Sequence, residues 1–149
     1  MFLTNTKNGT SKFLTRLVYV STVTDIFKAT DIEDILSVAR KHNTKSSVTG
    51  MLCFNSQYFL QCIEGSRADI NSTYHKILND QRHTHIVMLD YKEVNAREFS
   101  DWSMGYMPES SFSAPMNLKY SGTREFSPYE MSGESAHLLM LSLRSSITS

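Results

Sequence analysis

The stretch SVTGMLCFNSQYFLQCIEG, Ser47–Gly65, decides the fold. It holds two apolar runs on either side of Asn55–Ser56, which is the pattern of a β-hairpin. In the second run Phe59, Gln61 and Ile63 share one face, and Tyr58, Leu60 and Cys62 share the other. A strand apolar on both faces belongs inside a sheet that is covered on both sides. Gln61 sits in the middle of that strand, and a buried amide without partners costs about 1–3 kcal/mol. The residue therefore needs a partner, and the rest of the chain has to supply it.

Working outward, LTRLVYVS (Leu14–Ser21) has strand composition, with Leu17, Tyr19 and Ser21 on one face and Val18 and Val20 on the other. TDIEDILSVARKHN follows as a helix, with Thr30 and Glu33 as a capping box and Ile32, Ile35, Leu36 and Ala39 as its apolar stripe. Arg40 and Lys41 favour its C-terminal end, and Asn43 is its expected stop. A second helix is expected to begin near Ser66, capped by Ser66 and Asp69, with Ile70, Tyr74, Ile77 and Leu78 inward. HIVMLDYKEV (His85–Val94) reads as a fourth strand, and WSMGYMP (Trp102–Pro108) as a fifth that Pro108 stops.

The order βαββαββ predicts an α+β, ferredoxin-like fold. Its mixed five-stranded sheet carries two helices on one face, and a helical extension follows. The expected divisions are an N-terminal arm (1–13), a domain (14–108) and a C-terminal extension (109–149). In the extension Glu130–Arg144 is the helical candidate. Its cluster Leu138–Leu139–Met140–Leu141–Leu143 is too apolar to stay wet, so it should dock on the open sheet face or on a partner.

The 149 residues fit one domain plus extensions. Fifteen basic and fifteen acidic residues give no net charge, so bulk electrostatics offers nothing to nucleic acid. No run approaches the roughly 18 uninterrupted apolar residues of a membrane span, and no signal-peptide core is visible. Cys53 and Cys62 lie within strands and read as reduced and packed, which favours a cytoplasmic location. No His/Cys cluster has metal-ligand spacing, and no metal is expected.

Strand parity lets Tyr19 stand near Gln61. From the pattern alone, a tyrosine hydroxyl bonded to a buried amide is a structural pair that fixes strand register. Taken together, however, RLVYVS, ARKHNTKSSVTGMLCF, FLQCIEG, NDQRH and FSDWSMGY resemble, in order and with matching spacing from about Arg16 to Tyr106, the BLUF family of blue-light sensors that use flavin adenine dinucleotide (FAD).

The resemblance implies that Tyr19 is the photochemical electron and proton donor. It implies that Gln61 exchanges hydrogen bonds between that tyrosine and the flavin. Asn43 would bond the polar edge of the ring, and Arg82 and His83 would lie near its pyrimidine end. Trp102 and Met104 would form the late-strand pair that passes on the change at Gln61. Ile35 and Ile77 are expected to grip the ring from two helices. Ala39 departs from family members that carry serine there.

The expected function is therefore a blue-light photoreceptor without turnover, acting on a downstream regulatory or effector protein, with homo-oligomerisation a further possibility. About 40 residues follow Pro108, too few for an enzymatic output domain. Deleting them is expected to spare the photocycle and abolish signalling. The competing readings are a small enzyme on the same scaffold, a flavin reductase or hydrolase, and a ligand-free interaction module. No Gly-rich phosphate loop and no GxGxxG supports the enzyme.

Overall fold

The structure is a computed structural model that describes residues 13–148. Twelve residues of the expected N-terminal arm lie outside that range. Five strands, β1 (Leu14–Val23), β2 (Thr49–Phe54), β3 (Tyr58–Ser66), β4 (His83–Val94) and β5 (Gly105–Pro108), form one sheet in the order β4-β1-β3-β2-β5. Only the β2–β5 pair is parallel. Helices α1 (Asp31–Ser46) and α2 (Arg67–Leu78) cover one face. Helices α3 (Ala114–Ser121) and α4 (Gly133–Thr148) lie over the other. The ferredoxin-like order and the C-terminal helix are those the sequence predicts.

Central position explains the composition of β1 and β3, each with seven consecutive buried residues between two covered faces. The edge strand β4 is largely exposed, and its Lys92 and Glu93 discourage pairing with another chain. The register places Tyr19 directly opposite Gln61. Leu17, Tyr19, Leu52, Phe59 and Ile63 meet Ile32 and Leu36 of α1 and Ile70 of α2. Val18, Val20, Leu60 and Cys62 point the other way, into a core with Ala136, Leu139, Met140 and Leu143 of α4.

Several local expectations are corrected. Thr30 makes no capping bond, because its backbone is already helical (φ −69°, ψ −17°). The Asp31 carboxylate instead accepts from the Lys28 backbone N–H at 2.8 Å. Asn43 does not stop α1, which runs to Ser46 and closes at Ser47 in the left-handed region (φ 58°). Leu78 is 44% exposed and lies off the buried stripe of α2. The cap of α2 is the expected one: Ser66 Oγ accepts from the Asp69 N–H at 3.2 Å and donates to its carboxylate at 2.9 Å.

A chain ending at Pro108, expected above to keep its photocycle, would lose the layer that covers the second face of the sheet. Residues 114–148 supply the second layer, and each large apolar side chain buried there contributes about 1.5–3 kcal/mol. Close approach is built in at Gly133, where a Cβ would strike the Leu89 carbonyl of β4. Truncation after Pro108 is therefore expected to remove the cooperative thermal transition in circular dichroism.

A partly buried polar contact joins α4 to the sheet. Arg16 of β1 donates to Asp90 of β4 at 3.0 and 3.1 Å and faces His137 Nε2 of α4 at 3.4 Å. A guanidinium only donates, so this contact requires an unprotonated Nε2. Burial and then Arg16 hold the His137 pKa below its ordinary 6.5. The unfolded chain thus binds the proton more readily, and stability falls as pH drops through 6.5 toward the lower folded value. His137→Gln is expected to flatten that part of the pH–stability curve, measured by urea denaturation.

Candidate functional site

Between α1 and α2 a cavity of about 250 Å³ opens above the helix-side face of the sheet. Its walls follow from helical periodicity: Ile35, Ala39 and Asn43 repeat at i, i+4 and i+8 on α1, facing Thr73 and Ile77 of α2. Leu52, Phe59 and Ile63 make an apolar floor, and Tyr19, Gln61 and Met104 bring polar atoms into it.

Tyr19 Oη donates to Gln61 Oε1 at 2.5 Å. The other end of the amide, Nε2, donates to Met104 Sδ at 3.3 Å. The partner that the opening strand demanded is thus double, a phenol at one end and a thioether at the other. The two ends differ in strength, because sulfur is a weak acceptor. Gln61 is 6% exposed, and burial pushes the Tyr19 phenol pKa far above its ordinary value, so the hydroxyl stays protonated. An amide held firmly by its carbonyl and loosely by its amino group can turn over within the same volume.

The remaining expected residues divide into two sets. Asn43 lines the cavity, and its Nδ2 donates to the Ser103 carbonyl at 2.7 Å. His83 also lines it, but both ring nitrogens are engaged, Nε2 with the Ile77 carbonyl and Nδ1 with Ser21 Oγ, each at 2.7 Å. A carbonyl only accepts, so Nε2 donates to it, and Nδ1 pairs with the serine hydroxyl. His83 braces α2 against β1. Arg82 is gripped by Asp80 at 2.8–3.2 Å and by Asp34 at 3.1 Å, and bonding to Arg82 holds the Asp80 carboxyl below its usual range.

Trp102 is not brought to the cavity. Its ring packs on the opposite face of the sheet against Phe99, with centroids 6.0 Å apart, above Gly105, where a Cβ would overlap the ring. Met104, two residues on, faces the cavity instead, because residues 102–104 form a bend ahead of β5 rather than the strand expected from Trp102, so the two side chains leave on opposite sides. Sequence reasoning missed the rim residues His42 and Lys76. Lys76 Nζ donates to His42 Nδ1 at 3.4 Å, and burial and then Lys76 lower the His42 pKa. Their signal was legible: Ala39 and His42 lie on the same helical face as Ile35 and Asn43, and Lys76 adjoins Ile77.

A family profile described as "Sensors of blue-light using FAD" matches residues 14–105, which span β1, both cavity helices and the start of β5. The chain belongs to the BLUF family. It is 37% identical over 91 residues, 61% of its own length, to the blue light- and temperature-regulated antirepressor BluF of Escherichia coli, covering 23% of that protein. It is 33% identical over 93 residues to the photoactivated adenylate cyclase subunit alpha of Euglena gracilis, covering 61% of this chain and 9% of that one.

The chain therefore matches less than a quarter of the length of these curated BLUF relatives. Solved structures correspond over more of the molecule. BlsA in its photo-activated state superposes with TM-score 0.80 and 27% identity, over 87% of this chain and 94% of that one. The dark state of the BLUF protein BlrB superposes with TM-score 0.76 and 28% identity, over 91% and 98% respectively.

Proposed function

We propose that this chain is a blue-light photoreceptor that holds FAD non-covalently between α1 and α2 and reads its excitation through Tyr19 and Gln61. The observation that carries the proposal is the hydrogen-bonded row Tyr19–Gln61–Met104 at an apolar cavity. A planar three-ring heterocycle fits that chemistry. Ile35, Leu52, Ile63 and Ile77 offer aliphatic walls, while Asn43 and Gln61 offer amides for ring carbonyls and nitrogens. The dinucleotide is favoured over shorter flavins by the rim, where Lys76 and His42 suit a pyrophosphate.

The flavin, when bound, supplies visible absorption and a strong light-driven electron acceptor. The chain's own residues do the rest. Tyr19 would give an electron and its hydroxyl proton to the excited flavin and recover both within the lit state, before any return to darkness. Meanwhile the Gln61 amide exchanges ends, so that oxygen and nitrogen swap partners with no covalent change and no turnover. The altered contact reaches a downstream regulatory or effector protein through the connector carrying Met104 and the helices of the C-terminal extension. A cytoplasmic setting belongs to this reading, supported by two free, buried thiols at Cys53 and Cys62.

The test is optical. Purified protein reconstituted with FAD is expected to be yellow, to shift to the red under blue light and to revert in darkness. Colourless protein with no flavin uptake would favour a ligand-free interaction module. Substrate-dependent bleaching in the dark would favour a flavin reductase.

A further inference from the structure

One buried charged side chain has no part in that photochemistry. Glu64 lies three residues along β3 from Gln61, on the opposite face, and is 1% exposed. Its neighbours on that face, Leu60 and Cys62, are core. A carboxylate there without donors would be strongly destabilising. The donors come from the segment 95–104, the connector between β4 and β5. Glu98 N–H donates to Glu64 Oε2 at 2.7 Å and Phe99 N–H to Oε1 at 3.0 Å, while Thr49 Oγ1 donates to Oε1 at 3.1 Å. Arg97 reinforces the junction by donating to Thr49 Oγ1 at 2.9 Å and to the Glu64 carbonyl at 3.1 Å.

We propose that Glu64 is a positioning residue, whose carboxylate clamps the 95–104 connector so that Met104 Sδ receives the Gln61 amide; this rests on the photoreceptor reading. The connector has little regular structure of its own, so its backbone donors need outside acceptors. Glu64 satisfies two adjacent ones and fixes the turn that Trp102 N–H closes on the Phe99 carbonyl at 3.0 Å. From that turn the chain is held residue by residue: Gly50 N–H on the Trp102 carbonyl, Asn43 Nδ2 on that of Ser103, and Arg40 Nε on that of Met104. The same peptide meets the C-terminal helix, because Arg144 of α4 donates to the Glu98 carbonyl. Residue 98 thus joins the strand that carries Gln61 to α4.

The clamp stabilises the arrangement with Met104 on Gln61, so weakening it is expected to remove driving force for return to that arrangement. Glu64→Gln keeps the shape but turns an amino group on one of the two backbone donors. In the full flavin-loaded chain, amide exchange at Glu98 and Phe99 should then speed up by about tenfold, and dark recovery should slow by a similar factor, as loss of a charge-assisted hydrogen bond implies. Thr49→Val, which removes one donor and no charge, should slow recovery less and serves if Glu64→Gln does not fold. Recovery within about twofold of the parent in the folded variant, despite faster exchange, would reduce Glu64 to a fold element and overturn the proposal. Unprotected Glu98 and Phe99 amides in the parent would overturn it as well. A parent with no photocycle would instead remove the photoreceptor reading, leaving the clamp to be decided by exchange alone.

Discussion

Gln61→Leu is expected to keep bound flavin and lose the light-induced red shift completely. Leucine is close in size to glutamine, so the cavity floor between Leu52, Ile63 and Met104 stays filled. What disappears is the one group in the row with a donor at one end and an acceptor at the other. Tyr19 Oη loses its acceptor, and the Met104 thioether loses its donor. Leaving the buried hydroxyl unpaired costs about 1–3 kcal/mol. The variant should therefore be measurably less stable in urea while remaining yellow. Difference spectra before and after blue light decide the matter, and a full red shift in the variant would move the switch away from Gln61.

Tyr19→Phe is expected to keep flavin, abolish the photocycle and raise flavin fluorescence. Phenylalanine preserves the ring that packs 6.0 Å from Tyr74 and 6.1 Å from His83, so the pocket wall is retained. It lacks the hydroxyl proton and is far harder to oxidise than a phenol, so excitation returns by emission instead of charge transfer. Burial keeps the native phenol protonated, so Tyr19 offers its proton together with its electron throughout the neutral range. Emission yield and transient absorption would check both halves. Unchanged emission with an intact photocycle would reject Tyr19 as the donor.

Much of the fold was legible because its signals are local. Period-2 alternation in Leu17–Ser21 and Phe59–Ile63 assigned opposite faces that the structure fills with different cores. The Ser66–Asp69 pair marked the start of α2 within the chain itself. Helix α3 was also within reach, since Ser113 caps it, Pro115 stands in its first turn and Gly122 closes it at φ 79°. A serine-rich context hid that pattern. Thr30 failed as a cap for the opposite reason: the motif was present, but the backbone before α1 had already turned helical.

The candidate site was legible only where strand parity or a shared helix face brings residues together. The nearness of Tyr19 to Gln61 followed from strand parity and the inward face of Ile35 from helical spacing, while Asn43 entered only through the family resemblance. The grip of Asp80 and Asp34 on Arg82, the double engagement of His83 and the placement of Trp102 behind the sheet depend on partners distant in sequence.

By itself, then, the sequence determined the order of elements, the face on which each strand residue lies and the amide that would need partners, because these follow from spacing along one backbone. Only the tertiary structure decided that the amide lies between a phenol and a thioether, that Met104 and not Trp102 reaches it, and that residues 114–148 are a structural layer. Those outcomes depend on which backbone donors and apolar faces meet across the sheet, and short-range periodicity does not encode that.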